Sequence, residues 1–263
     1  MEICVVIPTY NNQQFLKQVL DAVLHYSMPV IVVNDGSTDM TNEVLEDYQS
    51  KLTTVSYAQN RGKGYALNRG FDKAEELGFS YAITMDSDGQ HLAEDLPLFI
   101  EAITNNPDAM IIGSRSFKQE NMPAKNTFAN KFSNFWFVVQ TGIKLPDTQT
   151  GFRLYPLKQM RGMRSFTSRY EAELELLVRA AWRNIPLIPI PIHVYYPEKG
   201  VRVTHFRPGV DFLRISLLNT VFVFVAIVYG YPSRVIRKMR NKNSRILIVI
   251  LLFVDYLSKS HYF

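Results

Sequence analysis

From the amino terminus to residue 113 the chain alternates short β-branched runs with segments whose apolar residues recur at helical spacing, and this constrains its fold more than any other feature. Repetition of that unit is how a parallel sheet with crossover helices is written. Residues 3–8 read as a buried strand; Leu16, Val19, Leu20, Val23 and Leu24 then fall at i, i+3, i+4, i+7 and i+8, one helix face. Residues 30–34 form a second strand, and Asp39 can cap a helix that turns Val44, Leu45, Tyr48 and Leu52 inward. Residues 55–58, 81–85 and 110–113 read as further strands, separated by helices carrying Leu67, Phe71 and Ala74 and then residues 96–104. The polar stretch 114–150 has weak periodicity and reads as a loop plus a helix around an aromatic patch at 132–137. Residues 171–184 form a clearer helix. In residues 188–194 apolar side chains alternate with Pro189, Pro191 and His193, as on an edge strand.

A chain of 263 residues buries one α/β core with sequence to spare, so a sheet domain over 1–208 and an apolar, basic tail over 209–263 are expected. The single cysteine, Cys4, has no internal partner and suits a reducing compartment, and the opening MEICVVIP lacks the basic-then-apolar pattern of a secretory signal. A cytoplasmic domain is the expectation. The net charge of +5 hides an asymmetry: residues 199–245 hold ten Lys and Arg against one acid, Asp211, a local +9 that leaves −4 for the rest. Because this charge lies beside apolar segments, a membrane surface with anionic lipid explains it better than nucleic acid does.

The sharpest chemical signal is Asp86-Ser87-Asp88-Gly89-Gln90-His91, placed where an apolar strand breaks into a loop. Carboxylates at i and i+2 reach a shared point once the chain turns, and oxygen-rich sites take Mg²⁺ or Mn²⁺. A solvated turn uses the same residue types. Two further strand ends carry candidate groups: Asn34-Asp35-Gly36-Ser37-Thr38-Asp39, whose Asp35 suits a base or ribose, and Asn60-Arg61-Gly62-Lys63-Gly64, whose glycines and cations suit a phosphate.

Together with Pro8-Thr9-Tyr10-Asn11 and Asp147-Thr148-Gln149-Thr150-Gly151-Phe152-Arg153, these motifs resemble, in order and over roughly residues 3–200, those of family-two glycosyltransferases. Within that family they look most like the dolichol-phosphate mannose synthase and polyprenyl-phosphate glycosyltransferase branch. The resemblance implies a GT-A fold and an inverting reaction from a nucleotide-sugar donor. It implies a nucleotide held by Pro8, Tyr10, Asn11, Asp35, Lys63 and Asp86, and a Mn²⁺ or Mg²⁺ ion on Asp86, Asp88 and Gln90. The Gln-x-x-Arg-Trp motif of processive members is missing, so transfer of a single sugar is expected.

A catalytic acid is harder to assign. Glu171 and Glu173 stand in the right part of the chain, yet both also read as solvated helix-face acids. A lipid-phosphate acceptor removes the need for a base, since a phosphate monoester with its second pKa near ~6 is already ionised near neutrality. Asp88, Arg115, Arg153 and Glu173 are therefore the candidate catalytic set, with the arginines and Arg202 either meeting the acceptor phosphate or forming surface ion pairs. Transfer to a hydroxyl of a lipid, glycan or protein is the alternative, and a noncatalytic nucleotide-binding membrane subunit or a self-associating chain is compatible with the same sequence.

In the tail, residues 215–231 and 246–254 are apolar and flank a basic cluster from Arg234 to Arg245. A span needs ~20 apolar residues, and a cluster beyond a crossing would break the positive-inside tendency. Helices in the headgroup plane or a re-entrant hairpin are expected, with packing on the domain as the alternative. Residues 200–208, with Arg202, His205 and Arg207, read as a mobile loop over the acceptor or as a plain linker.

Overall fold

The computed structural model describes residues 2–115, 124–195 and 208–233. Seven strands form one sheet: β1 (Ile3–Thr9), β2 (Val30–Asn34), β3 (Thr53–Ser56), β4 (Tyr81–Thr84), β5 (Met110–Arg115), β6 (Arg153–Pro156) and β7 (Leu187–Ile192), in the order β3-β2-β1-β4-β6-β5-β7. β6 runs antiparallel to both neighbours, and every other pairing is parallel. The mixed, mostly parallel sheet agrees with the expected class.

Side chains alternate across it as strand geometry requires. Ile3, Val5 and Ile7 of β1 face the layer of α1 (Gln13–Leu24) and α4 (Leu96–Asn105), where Leu16, Leu20, Phe99 and Ile103 are buried. Cys4 and Val6 face α3 (Lys63–Glu76) and α6 (Glu171–Trp182), with Leu67, Phe71, Leu177 and Val178. A short helix, α2 (Thr41–Glu46), covers the β2–β3 crossover and buries Leu45, as its periodicity predicts.

The helix expected around residues 132–137 is present, and one strand without a periodic signal joins the sheet. α5 (Ala124–Thr141) fills much of the stretch whose periodicity is weak. Its inward residues include Asn130, Ser133, Gln140 and Thr141, all buried, so the hydrophobic pattern that marks a helix is largely replaced by hydrogen-bonding groups. β6 has only four residues, Arg at one end and Pro at the other, yet all are buried in the interior of the sheet between β4 and β5. β7 is an edge strand, and Pro189 and Pro191 point outward there.

α7 (Pro208–Val225) continues through a π turn (Ala226–Gly230), and the helical stretch Gly209–Ser233, mean hydropathy 2.0, is long and apolar enough to cross a membrane. One face packs on the domain. Phe222 and Ala226 join the core with Trp182, Gln140 Nε2 donates to Asn219 Oδ1 at 2.9 Å, and Arg169 pairs with the buried Asp211 at 3.4 Å. The opposite face carries Val210, Leu213, Leu217, Val221, Phe224 and Val228, each at least 48% exposed. Packing on the domain, the alternative reading of the tail, is thus realised on one face of α7 while the other stays open. The basic cluster 234–245, the apolar run 246–254 and the loop residues Arg202, His205 and Arg207 lie outside the described residues.

Candidate active site

The parallel strands β1, β2 and β4 deliver their carboxyl ends to one edge of the sheet, where ligands of open α/β sheets bind. β1 pairs with β4 only as far as Val6↔Thr84, so Pro8, which has no N–H to offer a neighbour, lies beyond that ladder, buried and in register with Val33 of β2 on its other side. Tyr10 and Asn11 follow, half-buried. Asn11, at φ 46, takes the Thr38 amide on its Oδ1 at 2.7 Å, and its own amide donates to Ser37 Oγ at 3.0 Å. Asn12 Nδ2 donates to the carbonyl of Ser87 at 2.6 Å, which ties the β1 end to the carboxylate loop.

Asp35 is buried, and its oxygens accept from the amides of Arg61 (2.7 Å) and Gly62 (2.8 Å) and from Asn60 Nδ2 (3.0 Å). In this structure it holds the 60–62 loop rather than standing free for a base or ribose. Gly62 is required there twice over: φ is 95, and a β-carbon would lie 2.4 Å from the carbonyl of Ser168. Asp39 accepts the Thr41 amide at 3.0 Å and the Gln13 amide at 3.1 Å, tending the starts of two helices.

Lys63 opens α3, and its Nζ lies 2.5 Å from Asp86 Oδ1 and 3.1 Å from Glu173 Oε1. Glu173 is buried, as are Glu171 and Glu175 on the same helix, so the reading of Glu171 and Glu173 as solvated helix-face acids is corrected. Gly151 touches all three charged groups. A β-carbon on it would fall 2.8 Å from Glu173 Oε1 and 2.9 Å from both Asp86 Oδ2 and Lys63 Nζ. The motif 147–153 thus contributes a backbone that approaches the ion trio closely, a role its glycine alone among its residues permits.

Burial works against the charge of Asp86, but Lys63 above all, and Arg153 more weakly, hold its carboxyl below the ordinary range. Asp88 is raised, by burial and by the charge of Asp86. Two carboxylates at close quarters are under-compensated, the condition a divalent cation relieves. Gln90 adds an amide whose Nε2 is buried without a hydrogen-bond partner, while its main-chain N–H donates to Asp88 Oδ1 at 3.0 Å. Among the described residues no three His, Cys, Asp or Glu side chains converge as a closed metal cage. Two carboxylates and an amide on an open loop suit an ion that takes its remaining oxygens from phosphates and water, as Mg²⁺ does. His91 is buried beside Phe152; burial lowers its pKa, and Nδ1 of the neutral ring accepts the Asp86 amide at 3.4 Å.

The arginines take roles the sequence did not separate. Arg115 grips Asp147 through two bonds, Nε to Oδ2 at 2.6 Å and Nη2 to Oδ1 at 3.0 Å. Arg153 is fully buried, and Nη1 and Nη2 donate to the carbonyls of Glu173 (2.6 Å) and Thr148 (2.9 Å). It is neither a surface ion pair nor open to an acceptor in this structure; it fastens α6 to the 147–153 turn. Sequence reasoning missed Glu175, which accepts the amides of Phe166 and Thr167, the Thr167 hydroxyl and Arg179 Nη1. That fixes the loop whose Ser168 carbonyl receives the Gly64 amide at 2.8 Å.

Residues 4–159, more than half of the chain, match the sequence pattern of Glycosyl transferase family 2. The chain belongs to that family. Family-2 relatives include the UDP-N-acetylglucosamine–dolichyl-phosphate N-acetylglucosaminyltransferase of Methanococcus voltae, 28% identical over 242 residues that cover 82% of this chain and 96% of that one. The polyprenol monophosphomannose synthase of Mycolicibacterium smegmatis is 27% identical over 75% of this chain and 78% of its own. The mouse dolichyl-phosphate beta-glucosyltransferase is 28% identical, covering 82% and 75%. Among solved structures, the glucosyl-3-phosphoglycerate synthase of Mycobacterium tuberculosis, crystallised with Mn²⁺, UDP-glucose and phosphoglyceric acid, superposes with a TM-score of 0.62 at 16% identity, over 86% of this chain and 79% of that one. S. aureus TarS bound to UDP-GlcNAc gives 0.58 at 16%, covering 84% and 66%. The family-2 domain of this chain has the GT-A fold.

Proposed function

We propose that this family-2 enzyme transfers one sugar from a UDP- or GDP-sugar to a polyprenyl-phosphate lipid at the cytoplasmic face of a membrane, with a divalent cation at Asp86 and Asp88. The observation that carries the reading is the convergence of Asp86, Lys63, Glu173 and Gly151 beside the under-compensated Asp88. Asp86, Asp88 and Gln90 would hold a Mn²⁺ or Mg²⁺ ion, which supplies charge neutralisation for the departing nucleoside diphosphate. Pro8, Tyr10 and Asn11 line the nucleotide side, and Asp35 shapes the 60–62 loop around it. With an ionised phosphate as nucleophile, displacement at the anomeric carbon inverts it and requires no proton acceptor, so cations and positioning suffice. Arg115, already gripped by Asp147, is the cation assigned to the acceptor phosphate.

The lipid acceptors named for the relatives and the open apolar face of α7 support a membrane location. Residues 1–208 serve as the catalytic unit and 209–263 as the membrane-associating part, with α7 belonging to both through its two faces. A second reading, transfer to a hydroxyl, draws on Glu173, the second carboxylate of the same trio, which is buried and would take the hydroxyl proton.

The experiment is a panel of UDP- and GDP-sugars incubated with the full chain, Mn²⁺ and membrane lipid extract, the products read by mass spectrometry. A sugar–phosphate–polyprenol product supports the proposal. Sugar on a lipid, glycan or protein hydroxyl, lost on Glu173→Gln, supports the second reading instead.

A further inference from the structure

We infer that Lys63 is a built-in counter-cation, whose ammonium occupies the place of the divalent ion on Asp86 and withdraws when donor diphosphate arrives. The inference rests on the reading that Asp86 and Asp88 hold a metal. It adds that the protein itself competes for that site.

Three observations carry it. Lys63 Nζ sits 2.5 Å from Asp86 Oδ1, within direct ion-pair contact of an oxygen that a metal would need. The same ammonium bridges to Glu173 Oε1, and the Gly151 backbone closes against all three groups, so the trio is packed around the lysine. Lys63 is also anchored at its base, while its tip is held only by the two ion pairs. It is flanked by Gly62 and Gly64, both pressed onto Ser168, while its four-carbon stem lets the ammonium swing with the helix fixed.

A divalent cation arriving alone must displace an ammonium that two carboxylates hold. A nucleoside diphosphate changes that balance, because its phosphates offer the ammonium other oxygens and leave Asp86 Oδ1 available. Donor and metal therefore bind with positive coupling, and by linkage each strengthens the other equally. Lysine suits this role better than arginine, as a compact charge on a flexible stem without a planar fork to lock it in place.

The test titrates Mn²⁺ into the full-length protein in detergent, reading free aqueous Mn²⁺ by electron paramagnetic resonance, with and without UDP and, in parallel, GDP. Wild type should take Mn²⁺ weakly alone and at least about tenfold more tightly with the matching nucleotide. Lys63→Met should take Mn²⁺ alone about tenfold more tightly than wild type, with a correspondingly smaller gain from nucleotide. Mn²⁺ should also raise the melting temperature of Lys63→Met more than that of wild type, since the ion replaces the lost charge. Should Lys63→Met fail to fold, Lys63→Met with Glu173→Gln restores a balanced site and is read the same way. If wild type binds Mn²⁺ with nucleotide but the lysine variants bind Mn²⁺ alone no tighter than wild type, the counter-cation is wrong and the metal site stands. If wild type binds no Mn²⁺ even with nucleotide, both fall.

Discussion

Thr84 donates its hydroxyl proton to the carbonyl of Gly151 at 2.6 Å, and this bond lays the 147–153 turn across the end of β4. The α-carbon of Gly151 is thereby held against Lys63, Asp86 and Glu173. Gly151→Ala forces a methyl into that contact. Overpacking of this kind costs about 1–3 kcal/mol, so the urea midpoint should fall, and nucleotide affinity measured by calorimetry should fall with it. Unchanged stability and affinity in the Gly151→Ala variant would show that the trio has slack.

Asp88 is half-buried, and its Oδ1 accepts from the amide of Gln90 at 3.0 Å. Asp88→Ala should leave the melting temperature nearly unchanged while transfer falls on the order of a hundredfold or more. Full turnover by the folded variant would remove Asp88 from the metal site.

Asp35→Ala should act through the loop. It strands the amides of Arg61 and Gly62, at about 1–3 kcal/mol for each donor that stays buried. Hydrogen exchange at those two amides should speed up, and metal-free nucleotide affinity should drop. Unchanged exchange with lowered affinity would mean that the carboxylate meets the nucleotide directly.

His193 Nδ1 lies 2.8 Å from Asp95 Oδ1, while the His193 amide donates to Asp95 Oδ2 at 2.7 Å. The hydrogen bond and charge of Asp95 raise the pKa of His193 above its ordinary 6.5. A raised histidine stabilises the fold fully below the unfolded-state value and loses that contribution as pH rises through the folded-state value. Melting temperature should therefore decline from about pH 6.5 upward in wild type, and that slope should flatten in His193→Gln. An identical slope in both would assign it elsewhere.

The two faces of α7 should separate in experiment. Phe222→Ala, on the packed side against Trp182, should destabilise by about 3 kcal/mol. Phe224→Glu, on the open side, should leave stability alone and shift protein from the membrane pellet to the supernatant. High salt should release only part of the wild type, since screening weakens the basic cluster and leaves apolar insertion intact. Wild type found wholly in the supernatant would end the membrane reading.

The sheet was legible where local pattern and tertiary role agree. β1, β2, β4 and their helices follow from period and capping, and Asp86 and Asp88 stood out because a strand breaks into acids. α5 was legible as a helix but not in its bounds, because its buried side is amide and hydroxyl, and β6 was missed because four residues bounded by Arg and Pro carry no periodic signal. The partners of Lys63 were illegible for another reason: Glu173 lies on a helix far along the chain, and only the closed fold reveals that its first turn faces inward. Arg153 reads from sequence as an acceptor contact or a surface ion pair until the strand it begins is seen buried between β4 and β5.

That strand has a consequence for the order in which the site comes into being. A parallel strand can bring only its carboxyl end to the ligand edge, whereas β6, running the other way, brings its amino end, and with it Gly151 and Arg153. The proposed site is thus stitched from Lys63, Asp86, Gly151 and Glu173, positions that no local segment contains. It exists only after β6 has slotted between β4 and β5, a long-range pairing that folding completes slowly. A nascent or partly unfolded chain holds the acids but no socket for them, so on the proposed assignment it would cleave no nucleotide sugar before the whole sheet is closed.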